Sequence, residues 1–293
     1  MLPIKKLYID SKARTVDSKS TTNFAVDLKE SLPMPEDATF IVADVMIPHT
    51  WYLLSPNQSR DLTFMEIANS SPNNINIQFI TISLPPGSYN GPELESVIQL
   101  ALNIYNDFPH AQDRYYDYTV QWNPVTEVIS ILPDSRATGV VSGVTNGFKL
   151  LTARDKNTEF SSTFGTNNKP SQLDRLLGNT GMSSPLYTNA SQYKSQRVDF
   201  GLIKYLFLKS PNLGTFKTMD SFGERTIIKK IPVTSGPGEM IVDDARSDLD
   251  ALDCSKQNLR RLEFELTDET GTAIDLHHHD ISFSLIFNIQ PQQ

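Results

Sequence analysis

The sequence predicts an all-β protein, and three observations support this prediction. Apolar and polar residues alternate over most of the chain, which is typical of strands with one buried face. Turn residues interrupt the alternation at short intervals, and a single long segment has helical spacing. The chain has 293 residues, 39% of them hydrophobic, so it can bury a full core without disulfides or metals. We therefore expect a sandwich of two antiparallel sheets with one amphipathic helix and long surface loops.

The first half of the chain contains five predicted strands. They are the alternating or apolar runs at residues 24–28, 39–47, 75–84, 118–122 and 127–131. Pro48 stops the second run, and the sequence Pro85-Pro86-Gly87 stops the third. The last two runs flank Asn123-Pro124-Val125-Thr126, which predicts a hairpin.

Residues 91–108 form the one predicted helix. Its apolar positions are Leu94, Val97, Ile98, Ala101 and Phe108, which follow helical spacing. Pro92 suits the first turn of a helix, and Asn90 is a suitable cap just before it. Pro109 ends the pattern. We expect this helix to lie against a sheet edge or an end of the sandwich.

The clearest alternation is C-terminal. Leu262, Phe264 and Leu266 face one way, whereas Glu263 and Glu265 face the other. Residues 281–289 alternate in the same manner. Two nearby carboxylates suggest acid–base chemistry, but charges on the outer face of a half-buried strand explain them better.

Residues 134–197 are predicted to form a long surface loop or insertion. From residue 152 this segment is polar and rich in Asn, Ser, Thr and Gly, and its apolar cluster is Leu173, Leu176 and Leu177. That cluster predicts one helical turn before Gly178. Loops of this length in compact domains usually have a function or are disordered. Because no repeat or linker is evident, we expect one domain over residues 1–293, with an N-terminal arm at residues 1–20.

Charge and composition exclude several classes of function. The net charge of −8 argues against strong nucleic-acid binding through a broad basic face. Locally, residues 1–20 contain Lys5, Lys6, Lys12, Arg14 and Lys19, which form either a basic arm or a solvated leader. No apolar run is long enough to cross a bilayer, and the first residues do not resemble a secretory signal. The single cysteine, Cys254, indicates a reducing compartment.

The sequence contains few candidates for chemistry. It has no Gly-rich phosphate loop, no nucleophile elbow and no H-E-x-x-H helix. His277-His278-His279-Asp280 is the one suggestive cluster, but consecutive strand residues point to opposite faces and do not easily meet at one ion. The run also lies where a hairpin turn is expected. We therefore predict no catalytic, cofactor-binding or metal-binding residues, no cofactor, and an inert thiol at Cys254.

Five short segments, taken in chain order, carry a family resemblance. They are a strand ending in Asp10-Ser11 followed by an alternating strand at residues 23–28, an Ile47-Pro48 step before Trp51-Tyr52, a Pro86-Gly87-Ser88-Tyr89 turn before the helix, Leu176-Leu177-Gly178, and the hairpin beginning at residues 266–271. This series resembles the minor capsid, or penton, protein of virophages and of Polinton-like (Maverick-type) viruses.

The resemblance implies a single jelly roll, whereas alternation alone also allows an immunoglobulin-like topology. It further implies a structural virion protein, not an enzyme, that forms a homopentamer at each fivefold vertex of an icosahedral capsid. The pentamer would close a shell of double jelly-roll major capsid protein trimers and would contact minor cement proteins. Such a protein is synthesised in the host cell cytoplasm and ends in the virion.

Two other classes of function stay open at this point. A carbohydrate- or receptor-binding sandwich would use Trp51, Tyr52, Tyr187 and Tyr193, since aromatic faces suit sugar rings. A metal-dependent jelly-roll enzyme would require the histidine run and a further ligand to converge on one ion.

Overall fold

The computed structural model describes residues 4–71, 74–104, 116–135, 147–181, 183–187, 191–213, 218–219, 221 and 223–289. The chain forms two compact units. Residues 1–51 and 203–293 form the first unit, and residues 52–202 form the second. The structure therefore differs from the prediction of one domain over residues 1–293, because the second unit has a core of its own.

The described elements are mostly strands. In chain order they are β1 Ile4–Asp10, β2 Asn23–Pro33, β3 Thr39–Pro48, β4 Asp61–Ser71, β5 Asn74–Ser83, α1 Gly91–Ile104, β6 Tyr116–Asn123, β7 Val128–Ser135, β8 Gly147–Leu151, α2 Ala153–Thr158, α3 Ser161–Phe164, α4 Gln172–Leu176, β9 Tyr193–Lys194, β10 Tyr205–Lys209, β11 Ile227–Pro232, β12 Met240–Asp243, β13 Leu252–Asp253, β14 Asn258–Thr267 and β15 Ser282–Asn288. Short 3-10 turns lie at Ser11–Ala13 and Asp248–Asp250.

The first unit is a jelly roll. One sheet has the order β1-β15-β3-β12, with β13 also paired to β3, and the other has the order β11-β10-β14-β2. All of these pairs are antiparallel. Without the two-residue β13, the eight strands of this unit follow the order 1-8-3-6 in one sheet and 5-4-7-2 in the other, which is jelly-roll connectivity. The predicted fold class is confirmed.

Alternating strand residues build the core between the two sheets of the first unit. Phe264 on β14 and Phe283 on β15 meet across the sandwich with ring centroids 4.9 Å apart, and both are about 2% exposed. Glu263, between two inward positions of β14, is exposed. Truncating a buried phenylalanine typically costs about 3–5 kcal/mol, so these rings fix the spacing of the sheets.

Residues Ile4–Asp10 form the sheet strand β1, so the prediction of an arm at residues 1–20 is wrong for this strand. That strand pairs with β15 from Ile4 opposite Asn288 to Asp10 opposite Ser282. Ile9 enters the core, and Leu7 packs against it. These two residues share one face, so the strand buries apolar area in spite of its lysines.

The second unit contains two three-stranded antiparallel sheets, β5-β4-β8 and β6-β7-β9. Phe64 on β4, Tyr118 on β6 and Phe148 on β8 form an aromatic cluster, with ring centroids 5.2 to 5.7 Å apart. All three are almost fully buried. The hairpin predicted around residues 123–126 is confirmed as the turn between β6 and β7.

Helix α1 confirms the predicted helix over residues 91–104, while the predicted end at residue 108 lies outside the described residues. Asn90 and Glu93 form a reciprocal cap, because each side chain accepts a hydrogen bond from the other's backbone N–H at 2.9 Å. Gly91 is required by packing, since a Cβ there would lie 2.1 Å from the Trp122 ring.

Side chains of α1 cover the open edge of β6. Asn103 accepts from the N–H of Tyr118 and donates to its carbonyl, at 3.0 and 2.8 Å. Gln99 accepts from the N–H of Val120 at 2.9 Å, and Glu95 accepts from that of Trp122 at 2.6 Å. Four residues of a helix span about 6 Å, and two residues of a strand span about 6.6 Å. Every fourth residue of α1 therefore lies beside every second residue of β6. The helix thus lies against a sheet edge, as predicted.

Residues 134–197, predicted as a long surface loop or insertion, contain helices and strands where they are described, so a loop over the whole segment is wrong. The segment contains β8, three short helices and β9. Thr152 with Asp155, and Ser171 with Asp174, form capping boxes that begin α2 and α4. The predicted turn before Gly178 is confirmed, because Leu173, Leu176 and Leu177 are fully buried in the core of the second unit.

Candidate functional site

The histidine run forms a tight turn. The N–H of His279 donates to the carbonyl of Leu276 at 3.0 Å, while His277 and His278 both have positive φ, 50° and 67°. This is a type I′ turn, which normally has Asn-Gly at its centre. The turn predicted at this position is confirmed.

The side chains around this turn make structural contacts. Nδ1–H of His277 donates to the carbonyl of Thr50 at 2.7 Å, and Asp280 accepts from the Ser11 hydroxyl at 2.7 Å. Arg14 lies 3.4 Å from the same carboxylate. Over the described residues, no group of three or more His, Cys, Asp or Glu side chains is placed to hold a metal ion.

Cys254 lies inside the core of the first unit. It is fully buried, and its N–H donates to the carbonyl of Ala38 at 2.9 Å. Burial, followed by the charge of Asp253, raises the pKa of the thiol to about 12. Because the thiolate is the reactive form, this cysteine has the environment of a packing residue.

The two C-terminal glutamates belong to a charged outer face of β14. Arg261 contacts Glu263 at 3.2 Å and Asp27 at 3.8 Å, and it also pairs with Asp17. Glu265 accepts a hydrogen bond from Asn23 at 3.1 Å. Side-chain hydrogen bonds from Thr15 and Arg261 lower the pKa of Asp17. These carboxylates therefore bind neighbouring strands and loops, as expected for an outer face.

Three of the four aromatic residues proposed for sugar binding pack against neighbouring side chains, whereas Tyr52 is 38% exposed. Trp51 is 7% exposed and stacks on His49 at 4.0 Å. Tyr193 is 3% exposed, and its hydroxyl donates to Asn179 at 2.8 Å. Burial raises the pKa of the Tyr193 hydroxyl. Tyr187 lies edge-on to Tyr193 and packs on the core of the second unit.

A buried lysine that the sequence analysis missed joins the two sheets of the first unit. Nζ of Lys229 on β11 donates to the carbonyls of Val42 and Ala245, at 3.2 and 3.0 Å. It also lies 3.4 Å from the Asp243 carboxylate, and both side chains are about nine-tenths buried. Lysine at a strand position usually indicates an exposed face, so this contact could not be predicted from the sequence.

A pocket of about 620 Å³ opens beside this lysine. Its apolar lining includes Phe207, Ile228, Met219, Leu249 and Leu252. Met219 and Leu249 are 66% and 94% exposed, so apolar side chains stand at the mouth of the pocket. Of the charged residues that line it, Lys229 and Asp243 are paired with each other, and the others are Lys230, Asp250 and Glu269.

Among the described residues, no helix is long and apolar enough to span a membrane. This finding concerns helical spans alone.

No protein-family model and no curated protein sequence matches the chain. Among solved structures, the crystal structure of the mavirus penton protein matches with a TM-score of 0.51 at 11% identity, covering 97% of this chain and 99% of that chain. A chain of the Sputnik virophage cryo-EM structure has a TM-score of 0.40 at 16% identity, covering 97% and 98%. The first comparison shows that this chain has the fold of the mavirus penton protein, which confirms the fold implied by the sequence resemblance.

Proposed function

We propose that this protein is a structural capsid subunit that forms the penton at the fivefold vertices of an icosahedral virus. The observation that supports this most is the similarity in fold to the mavirus penton protein over 97% of the chain. The five sequence segments that resemble penton proteins support the same proposal from the amino-acid sequence.

In this proposal the protein assembles as a homopentamer and closes a shell of double jelly-roll major capsid protein trimers. Its partners are other copies of itself, those trimers and minor cement proteins. It is made in the host cell cytoplasm and resides in the virion. A ring of identical subunits needs one surface that binds a different surface of the next copy.

We further propose that the protein is not an enzyme. The ionisable groups that sequence analysis or burial singled out make packing contacts: Cys254 is buried with a raised pKa, Lys229 joins two sheets, and Asp280 holds the Ser11 hydroxyl. Burial of Trp51 and Tyr193 also removes two of the four aromatic faces on which the sugar-binding alternative depends.

Electron microscopy of the purified full-length protein tests the proposal. We expect five-membered rings, either for the protein alone or after it is mixed with the major capsid protein of the same virus. A protein that stays monomeric in both conditions, and that does not bind the shell, would contradict the proposed function.

A further inference from the structure

Resting on the proposed homopentamer, we propose which surfaces of the first unit meet in the ring. Residues 4–20, here called the basic flank, would contact residues 243–253 of the next copy, here called the acidic flank. The occupant of each flank is thus a second copy of this chain.

The two flanks lie at opposite sides of the jelly roll. β1 and β2 are edge strands of the two sheets at one side, and β12 and β11 are the edge strands at the other. The loop after β1 lies along β2, because Thr15 donates to the carbonyl of Ala25 at 2.8 Å. At the other side, Lys229 of β11 contacts Asp243 of β12. Opposite sides are what a head-to-tail ring joins.

Charge is complementary between the flanks. The basic flank has five basic residues and two acidic ones, whereas the acidic flank has five aspartates and one arginine. On the basic flank Lys6, Lys12 and Lys19 are exposed, and Asp17 is paired with Arg261. Arg14 is paired with Asp280. On the acidic flank Asp244 and Asp250 are exposed together with Arg246, and Asp243 is paired with Lys229. Opposite potentials on two surfaces favour their association and fix its orientation.

Each flank also presents exposed apolar side chains. On the basic flank Val16 is fully exposed and Tyr8 is 76% exposed. On the acidic flank Leu249 is 94% exposed and borders the 620 Å³ pocket with Met219. Exposed apolar side chains grouped at a rim of charges are typical of interaction surfaces. The pocket gives the side chains of the neighbouring basic flank a place to enter.

The same charges disfavour contacts other than a ring. A two-fold dimer through either flank would place like charges against each other, which costs free energy. A contact between unlike flanks leaves one basic and one acidic flank free at the ends of any open chain. Such a chain grows until it closes on itself, and the angle between copies sets the number of subunits.

Charge reversal tests the assignment. One variant has Lys12→Glu and Lys19→Glu, a second has Asp244→Lys and Asp250→Lys, and a third has all four substitutions. The matched control is Lys169→Glu with Lys194→Glu, two exposed lysines of the second unit. All substituted side chains are exposed, and a thermal melt of each variant checks folding.

We expect each two-site reversal to reduce the fraction of rings, counted by electron microscopy or mass photometry, by about tenfold or more. The four-site variant should restore rings, because its flanks are again opposite in charge, and the control should match the wild type. If either two-site reversal leaves ring formation unchanged, or the four-site variant stays dissociated while folded, the flank assignment is wrong. If the wild type forms no rings, alone or with the major capsid protein, the proposed function fails instead.

Discussion

The hydrogen bonds between α1 and β6 lead to the most quantitative prediction about stability. Asn103 makes two of the four bonds, both to the backbone of Tyr118. The substitution Asn103→Ala removes both at once. It leaves in place the other two bonds, in which Gln99 and Glu95 accept from the backbone N–H groups of Val120 and Trp122.

The expected loss follows from burial. Tyr118 is 2% exposed, so water cannot replace the lost partners, and each lost bond costs about 1–2 kcal/mol. Alanine is a better helix former than asparagine by about 0.6 kcal/mol, which offsets part of this loss. We therefore expect the second unit to lose about 2 kcal/mol of unfolding free energy.

Urea unfolding measures this loss. The chain has two tryptophans, Trp51 in the first unit and Trp122 in the second, so fluorescence in a Trp51→Phe background follows the second unit. Ser96→Ala is the control, because the exposed Ser96 hydroxyl bonds within its own helix. It should change the unfolding free energy by less than about 0.5 kcal/mol. Equal effects of Asn103→Ala and Ser96→Ala would refute the view that α1 completes the edge of β6.

Three further predictions concern the first unit. Because burial raises the Cys254 pKa to about 12 from its ordinary 9.0, its thiolate fraction at pH 8 should be about 1,000-fold lower, and Ellman's reagent should label it only after unfolding. His278→Gly should raise the unfolding free energy by about 1 kcal/mol in urea titrations, because glycine adopts positive φ without strain. Lys229→Ala should lower it by about 3–5 kcal/mol, because the buried Asp243 carboxylate and two carbonyls lose their donor.

Each of these three predictions has a control: the urea-unfolded chain for Cys254, and substitution of a neighbouring residue for His278 and for Lys229. Labelling of native Cys254 at the rate of the urea-unfolded chain would disprove its burial. His279→Gly, at a position without positive φ, should destabilise the turn, so a gain at both positions would count against strain at His278. Lys230→Ala removes an exposed lysine that lies over the Tyr205 ring and should cost about 1 kcal/mol or less. A similar cost at Lys229 would contradict the proposal that Lys229 stabilises the first unit by joining its two sheets.

Strand positions could be predicted because alternation reports which face is buried. The runs at residues 262–266 and 281–289 became β14 and β15 for this reason. Which strands pair with each other could not be predicted, because the alternation of apolar and polar residues does not identify the neighbouring strand. β1 pairs with β15 across almost the whole chain, Ile4 opposite Asn288, and such a contact leaves no local signal.

The second unit was missed for two physical reasons. The chain passes between units at Trp51–Tyr52 and Leu202–Ile203 without the Gly-, Pro- or Ser-rich composition of a linker. The polar composition of residues 152–197 also predicts a loop or insertion, although Thr152-x-x-Asp155 and Ser171-x-x-Asp174 are capping-box patterns, which mark the starts of helices. Those two patterns predict the starts of α2 and α4.

Only one of the two surfaces proposed for assembly, the basic flank, could be recognised from the sequence. The lysines of the basic flank indicate either a basic arm or a solvated leader in the sequence. The aspartates of residues 243–253 can be assigned a role only from the fold, which places them at the opposite side of the sandwich. The inward position of Lys229 could not be predicted either, because it depends on hydrogen bonds to the carbonyls of Val42 and Ala245.

Native mass spectrometry of the full-length protein tests the central proposal most directly. A penton predicts a dominant species at five times the chain mass of 32.9 kDa, which loses subunits as salt rises because charged flanks hold it together. A dominant monomer or two-fold dimer, unchanged by salt and by added major capsid protein, would contradict the account.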